Sequence, residues 1–156
     1  MRTRTIAGIA ALAASGAAAV ALTESAGGVT AAHEYNHIRV IEHATTNLQN
    51  DVAAPGDSPG DILTYNNPVF DAPDAKQVGT DLGWCIRVVA GDSWDCAWTT
   101  KLKGGQLMVS GPFYDTRGSQ VAITGGTGRF VGAQGYLKLS SREGGKKYVF
   151  DFYVLR

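Results

Sequence analysis

Lys147-Tyr148-Val149-Phe150-Asp151-Phe152-Tyr153-Val154-Leu155 is the stretch that decides the fold of this 156-residue chain. Tyr148, Phe150, Phe152 and Val154 fall on one side of an extended backbone, and Val149, Asp151, Tyr153 and Leu155 on the other. This period of two belongs to a β-strand and not to a helix. The strand is apolar on both faces, so something must cover its outer side. A partner subunit or a packed loop from residues 68 to 78 would serve.

Seven further β-type runs precede it: His37 to Ala44, Asp61 to Asn67, Gly79 to Val89, Trp94 to Leu102, Gln106 to Phe113, Ser119 to Thr124 and Val131 to Ser141. Between them stand turn formers such as Pro55-Gly56-Asp57-Ser58-Pro59-Gly60, Gly91-Asp92-Ser93, Gly104-Gly105 and Gly144-Gly145. Eight strands in a meander remove their exposed edges if the first pairs with the last. The chain is therefore predicted to be all-β, an eight-stranded antiparallel up-and-down barrel in preference to an open sandwich.

The start of the chain has a different character. Arg2 and Arg4 precede Ile6-Ala7-Gly8-Ile9-Ala10-Ala11-Leu12 and Ala17-Ala18-Ala19-Val20-Ala21, with no charge until Glu24. A basic segment followed by an apolar one is the make-up of a secretory signal peptide, with Val29-Thr30-Ala31 preferred over Ala19-Val20-Ala21 as the cleavage site. Residues 1–31 are thus expected to be a leader and 32–156 the domain, which works outside the cytosol. The Ala/Gly-rich run is shorter than the roughly 20 strongly apolar residues a membrane span needs, so no stable anchor is expected. Of 14 basic and 14 acidic side chains, the leader takes Arg2, Arg4 and Glu24, which leaves a formal charge of −1. No basic run exceeds Lys146-Lys147, so nucleic acid is not an expected partner. The remaining residues, about 125, suffice for a single core.

In an exported chain Cys85 and Cys96 are expected to form a disulfide, buried free thiols being the alternative. They flank Ala90-Gly91-Asp92-Ser93, so on a hairpin they either face each other or sit diagonally. Arg87, Trp94 and Trp98 share their face, which makes either an aromatic-lined ligand space with a polar handle or an outer surface with Arg87 lying on tryptophan. On the first strand Glu42 shares a face with Ile38 and Val40. It is then buried with a raised pKa, paired with a cation such as Arg87, or wetted at a barrel rim.

Two motifs are set aside. His33-Glu34-Tyr35-Asn36-His37 has H-E-x-x-H spacing, but β-branched residues follow and no third ligand signature appears, so no metal site is expected. Gly125-Gly126-Thr127-Gly128 fits neither a dinucleotide nor a phosphate-loop spacing, and a Gly-rich hairpin turn is expected there.

Gly60-Asp61-Ile62-Leu63-Thr64-Tyr65-Asn66-Asn67, Val78-Gly79-Thr80-Asp81-Leu82-Gly83-Trp84-Cys85, Leu107-Met108-Val109-Ser110-Gly111-Pro112-Phe113 and Ala122 to Gly135 resemble the allene oxide cyclase and dirigent protein superfamily, in order and spacing across nearly the whole domain. The resemblance implies a barrel with an interior cavity, commonly a homotrimer, without metal or redox cofactor. Its cyclases promote intramolecular ring closure, and its dirigent proteins orient phenoxy radicals made by a separate oxidase. Glu42, Asn67 and Cys85 fall on cavity positions of the cyclases, and Trp94 replaces a cavity aromatic. The chain departs at Ala44 and Phe113, where the cyclases carry an asparagine and a tyrosine, and at Asn66-Asn67 and Gln134, where dirigent proteins carry charges. Cys96 departs from both patterns, and a disulfide would remove any free-thiol role for Cys85.

The expected function is a secreted barrel that binds a small apolar or aromatic molecule and leans towards a cofactor-free isomerase, closing a ring within its substrate. In it Glu42 is acid, base or charge stabiliser, Arg87 its partner or an oxyanion donor, and Asn67 an anchor. Trp94, Trp98, Phe113 and Cys85 shape the guest. The alternative is a non-catalytic, dirigent-like protein that holds a ligand or directs stereochemistry. A third possibility is a structural domain with a filled barrel.

Overall fold

The computed structural model describes residues 33–52 and 54–155, and the expected leader, its cleavage and the question of an anchor fall on residues outside these. The strands are β1 (Tyr35–His43), β2 (Leu48–Asn50), β3 (Ile62–Phe70), β4 (Gln77–Val89), β5 (Ser93–Leu102), β6 (Gly105–Tyr114), β7 (Ser119–Gly128), β8 (Gly135–Arg142) and β9 (Lys147–Leu155). β1 pairs with β9 along its whole length, from Tyr35 opposite Leu155 to His43 opposite Lys147. A short contact between β1 and β3, Ile41 opposite Phe70 and Glu42 opposite Val69, closes the sheet. The result is a closed eight-stranded antiparallel barrel, with β2 added alongside β3.

Three details depart from the expected strands, each for a local reason. β2 was not anticipated: its residues are all exposed, so no alternation marks it. β8 begins at Gly135 instead of Val131, because the chain from Thr127 to Ala133 coils through successive turn hydrogen bonds. The glycines from Gly125 to Gly128 are strand, not hairpin turn, and Gly126 sits so close to β6 that a Cβ there would stand 2.7 Å from the Gln106 carbonyl oxygen.

Alternate side chains of each strand fill the interior. Val69, Leu107, Leu137 and Phe152 are fully buried there, and Phe150 and Phe152 meet edge to face at 6.2 Å. Each buried phenylalanine contributes about 1.5–3 kcal/mol by leaving water. Trp98 fits inside because Gly83 stands opposite it on β4, where a Cβ would come within 2.3 Å of the Trp98 Cβ.

The outer side of β9 receives the turn after β3, within the 68–78 segment. Asp74 Oδ2 accepts a hydrogen bond of 2.9 Å from Lys147 Nζ, and Asp74 Oδ1 stands 2.6 Å from His43 Nε2. The His43 ring stacks on Phe70 at 4.1 Å. Further along, Asp151 Oδ1 and Oδ2 take the Nε and Nη2 of Arg39 at 2.6 and 2.8 Å.

Candidate functional site

Glu42 lies on the inward face near the end of β1, 5% exposed. Its partner comes from β3, where Asn67 Nδ2 donates to Glu42 Oε1 at 2.7 Å. The orientation of that amide is imposed from its other end. Asn67 Oδ1 accepts from the backbone N–H of Thr45 and Thr46 at 3.0 and 2.9 Å and from Thr46 Oγ1 at 2.9 Å, so only the NH2 can face Glu42. Asn67 thus ties the chain after β1 to β3 and presents a donor to the carboxyl. Burial pushes the Glu42 pKa up to about 7, and the Asn67 hydrogen bond holds it from rising further. At neutral pH the group exchanges a proton readily in either direction, the property a general acid or base needs.

A second carboxyl lies deeper. Asp81 on β4 stands in register with Asn67 on β3 and Thr100 on β5, and is fully buried. Thr100 Oγ1 donates to its Oδ1, while Oδ2 has no partner among the described residues. Burial, reinforced by the charge of Glu42, holds Asp81 well above the usual carboxylate range. Glu42, Asn67, Asp81 and Thr100 therefore form a polar belt inside an otherwise apolar barrel.

Beside this belt is an interior cavity of about 60 Å3, counted as space open to the centre of a water-sized sphere. One water needs about 10–15 Å3 by that measure, so the space suits a single small ring system. Leu63, Trp98, Phe113, Leu139 and Phe150 form its apolar wall together with the disulfide, and Glu42, Asn47, Tyr65 and Tyr148 its polar one. Cys85 and Cys96 are bonded and directly opposite in register, with Cα atoms 4.0 Å apart. Cys85 lines the cavity as half of a cystine, not as a thiol.

The remaining site candidates lie apart from Glu42. Arg87 Nη1 donates to Asp115 Oδ2 at 2.6 Å, and Arg87 Nε is 2.6 Å from Asp57 Oδ1. The guanidinium carbon lies 3.9 Å from the Trp94 ring centroid, and Trp94 Nε1 donates to Asp115 Oδ1 at 3.0 Å. Arg87 and Trp94 thus form their own cluster, outside the lining of the cavity. Asp57 and Asp115 come from loops, and no strand periodicity announces them. His37 of the H-E-x-x-H spacing sits on strand β1, stacked on Tyr153 at 4.9 Å. Among the described residues no group of three or more His, Cys, Asp or Glu is placed to hold a metal ion.

Asp81, Tyr65 and Tyr148 were not singled out from the sequence. The available signal was parity: Tyr65 shares its strand face with Asn67, Asp81 with Cys85, and Tyr148 with Phe150.

A closed barrel with a small aromatic-walled cavity and a proton-exchanging carboxyl in its wall defines a small-molecule-binding barrel. Residues 41–153 match the family model described as the allene oxide cyclase barrel like domain, and the chain belongs to that family. Among solved structures, a pyocyanin demethylase is 26% identical over 74% of this chain and 98% of its own, with a TM-score of 0.64. A pterocarpan synthase dirigent protein is 20% identical over 80% of this chain and 89% of its own, with a TM-score of 0.66. A Diels-Alderase from Streptomyces koyangensis is 16% identical over 81% of this chain and 70% of its own, with a TM-score of 0.60. The last two similarities establish a common fold.

Proposed function

We propose that this protein is a secreted barrel that binds a small apolar or aromatic molecule and promotes its cyclisation or isomerisation without a cofactor, with Glu42 as general acid or base. The observation that carries this reading is Glu42 itself, with a pKa near 7, oriented by Asn67 in the wall of an apolar cavity. Holding a reactive guest in one geometry lowers the barrier by several kcal/mol, and a positioned proton donor or acceptor adds about 10²–10⁴ in rate. The Cys85–Cys96 disulfide fits an oxidising compartment. Names of structural neighbours, a demethylase, a dirigent protein and a Diels-Alderase, fit a barrel whose chemistry is set by its lining and not its fold.

The test follows ring closure of a strained epoxide and of a linked diene and dienophile, with rate and product chirality read by chiral chromatography. The wild type accelerates closure, and Glu42→Gln loses that acceleration while retaining the ligand. Equal acceleration by both proteins removes Glu42 from the chemistry. A second reading, stereochemical direction without catalysis, is favoured by the engagement of Arg87 with Asp57 and Asp115, which leaves no cationic side chain among the described residues that line the cavity. Its mark is biased chirality with an unchanged rate.

A further inference from the structure

Two phenols face the cavity on either side of Glu42. Tyr148 on β9 stands directly opposite Glu42 on β1, and Tyr65 on β3 stands opposite Gly83, whose missing side chain leaves its place to Trp98. Both line the cavity, and among the described residues neither hydroxyl has a hydrogen-bond partner. Tyr148 packs edge-on against Phe113 at 5.7 Å, so a phenol from β9 stands where the resemblance to the cyclases leads one to look for a tyrosine on β6. Gly145 leaves room for that hydroxyl, since a Cβ there would come within 3.3 Å of Tyr148 Oη.

We propose that Tyr65 and Tyr148 are a pair of hydrogen-bond donors that select guests carrying a carbonyl oxygen. This deepens the small-molecule reading given above and rests on it. Neither hydroxyl is engaged by another side chain among the described residues, so each is free to donate to an acceptor on a guest in the cavity. Burial raises both phenols above their ordinary range, and nearby carboxylates raise them further, Asp81 and Glu42 for Tyr65 and Glu42 and Asp115 for Tyr148, so both remain protonated donors at neutral pH. Across the cavity they face the apolar wall of Leu63, Trp98, Phe113, Leu139 and Phe150, so a hydrogen bond made there is stronger than one made in water. Any negative charge that gathers on the carbonyl oxygen would meet the two donors, while Glu42 stands ready to exchange a proton beside it.

The experiment compares acetophenone with its carbon isostere α-methylstyrene, by calorimetry and by the infrared carbonyl band of bound acetophenone. The proteins are the wild type, Tyr65→Phe, Tyr148→Phe and the double variant, each first checked for an unchanged melting transition. The affinity of the double variant for acetophenone falls about tenfold, its affinity for α-methylstyrene holds, and the carbonyl band moves to higher frequency. A double variant that keeps both the acetophenone affinity and the band position overturns the donor pair, while binding of both compounds leaves the cavity reading in place. A wild type that binds neither compound overturns the cavity reading, and the donor pair with it.

Discussion

Glu42→Gln converts the titration of one buried carboxyl into a measurable change in stability. The folded-state pKa of Glu42 is raised from its ordinary 4.5 to about 7, chiefly by burial. Between these two values the folded protein holds a proton that the unfolded chain has released, so the stability of the wild type falls as pH rises through this window. Each unit of difference corresponds to about 1.4 kcal/mol, so the full effect is about 3 kcal/mol, a large part of the 5–15 kcal/mol typical of a domain. Glutamine keeps the shape and an oxygen for Asn67 but does not titrate. Asp81 titrates in both proteins, and removing the charge of Glu42 relieves the repulsion that raises it, which adds to the difference with the same sign. Urea unfolding of both proteins from pH 4 to pH 8 gives the comparison directly. The variant should gain on the wild type by about 3 kcal/mol across that range, with most of the change between pH 4.5 and pH 7. A stability difference that stays flat with pH would refute the burial argument for Glu42.

Replacing both Cys85 and Cys96 by serine should cost about 3 kcal/mol in thermal or urea unfolding, because their bond closes a short hairpin loop in the unfolded chain. In the unreduced, unfolded wild type, a thiol reagent should find no free cysteine, and one equivalent or more would contradict the pairing. Arg87→Met should leave the Glu42 midpoint unchanged in carbon NMR of its carboxyl, while lowering stability by about 1–2 kcal/mol as Asp57 and Asp115 lose their cation. A shift of the Glu42 midpoint by a full unit would mean that Arg87 acts on the cavity after all.

How far the sequence reaches can be followed through particular residues. The alternation from Tyr148 to Val154 is a local property, and it makes a strand wherever the chain is placed. The pairing of the first strand with the last follows from a general dislike of open edges, and β1 against β9 meets it. The turn between Cys85 and Cys96 is short, so the hairpin alone brings them within bonding reach, and the register places them opposite. The inward face of Glu42 was likewise readable by parity from Ile38 and Val40.

Parity says which face a side chain occupies but not which neighbours it meets there. Arg87 has the same parity as Cys85, yet two loop carboxylates hold it beside Trp94, away from Glu42. Glu42 instead meets an asparagine 25 residues along the chain, because closure of the barrel brings β1 against β3. The short strand β2 and the turn before β8 escaped notice because their exposed or glycine-rich residues bear no periodic mark. By itself, the sequence indicated eight of the nine strands, their antiparallel order, the facing of the two cysteines and the inward placing of one carboxyl, all consequences of short-range backbone geometry. Only the tertiary structure decided that Asp81, Tyr65 and Tyr148 gather around that carboxyl and that Arg87 does not, because those meetings depend on how the strands are staggered when the sheet closes.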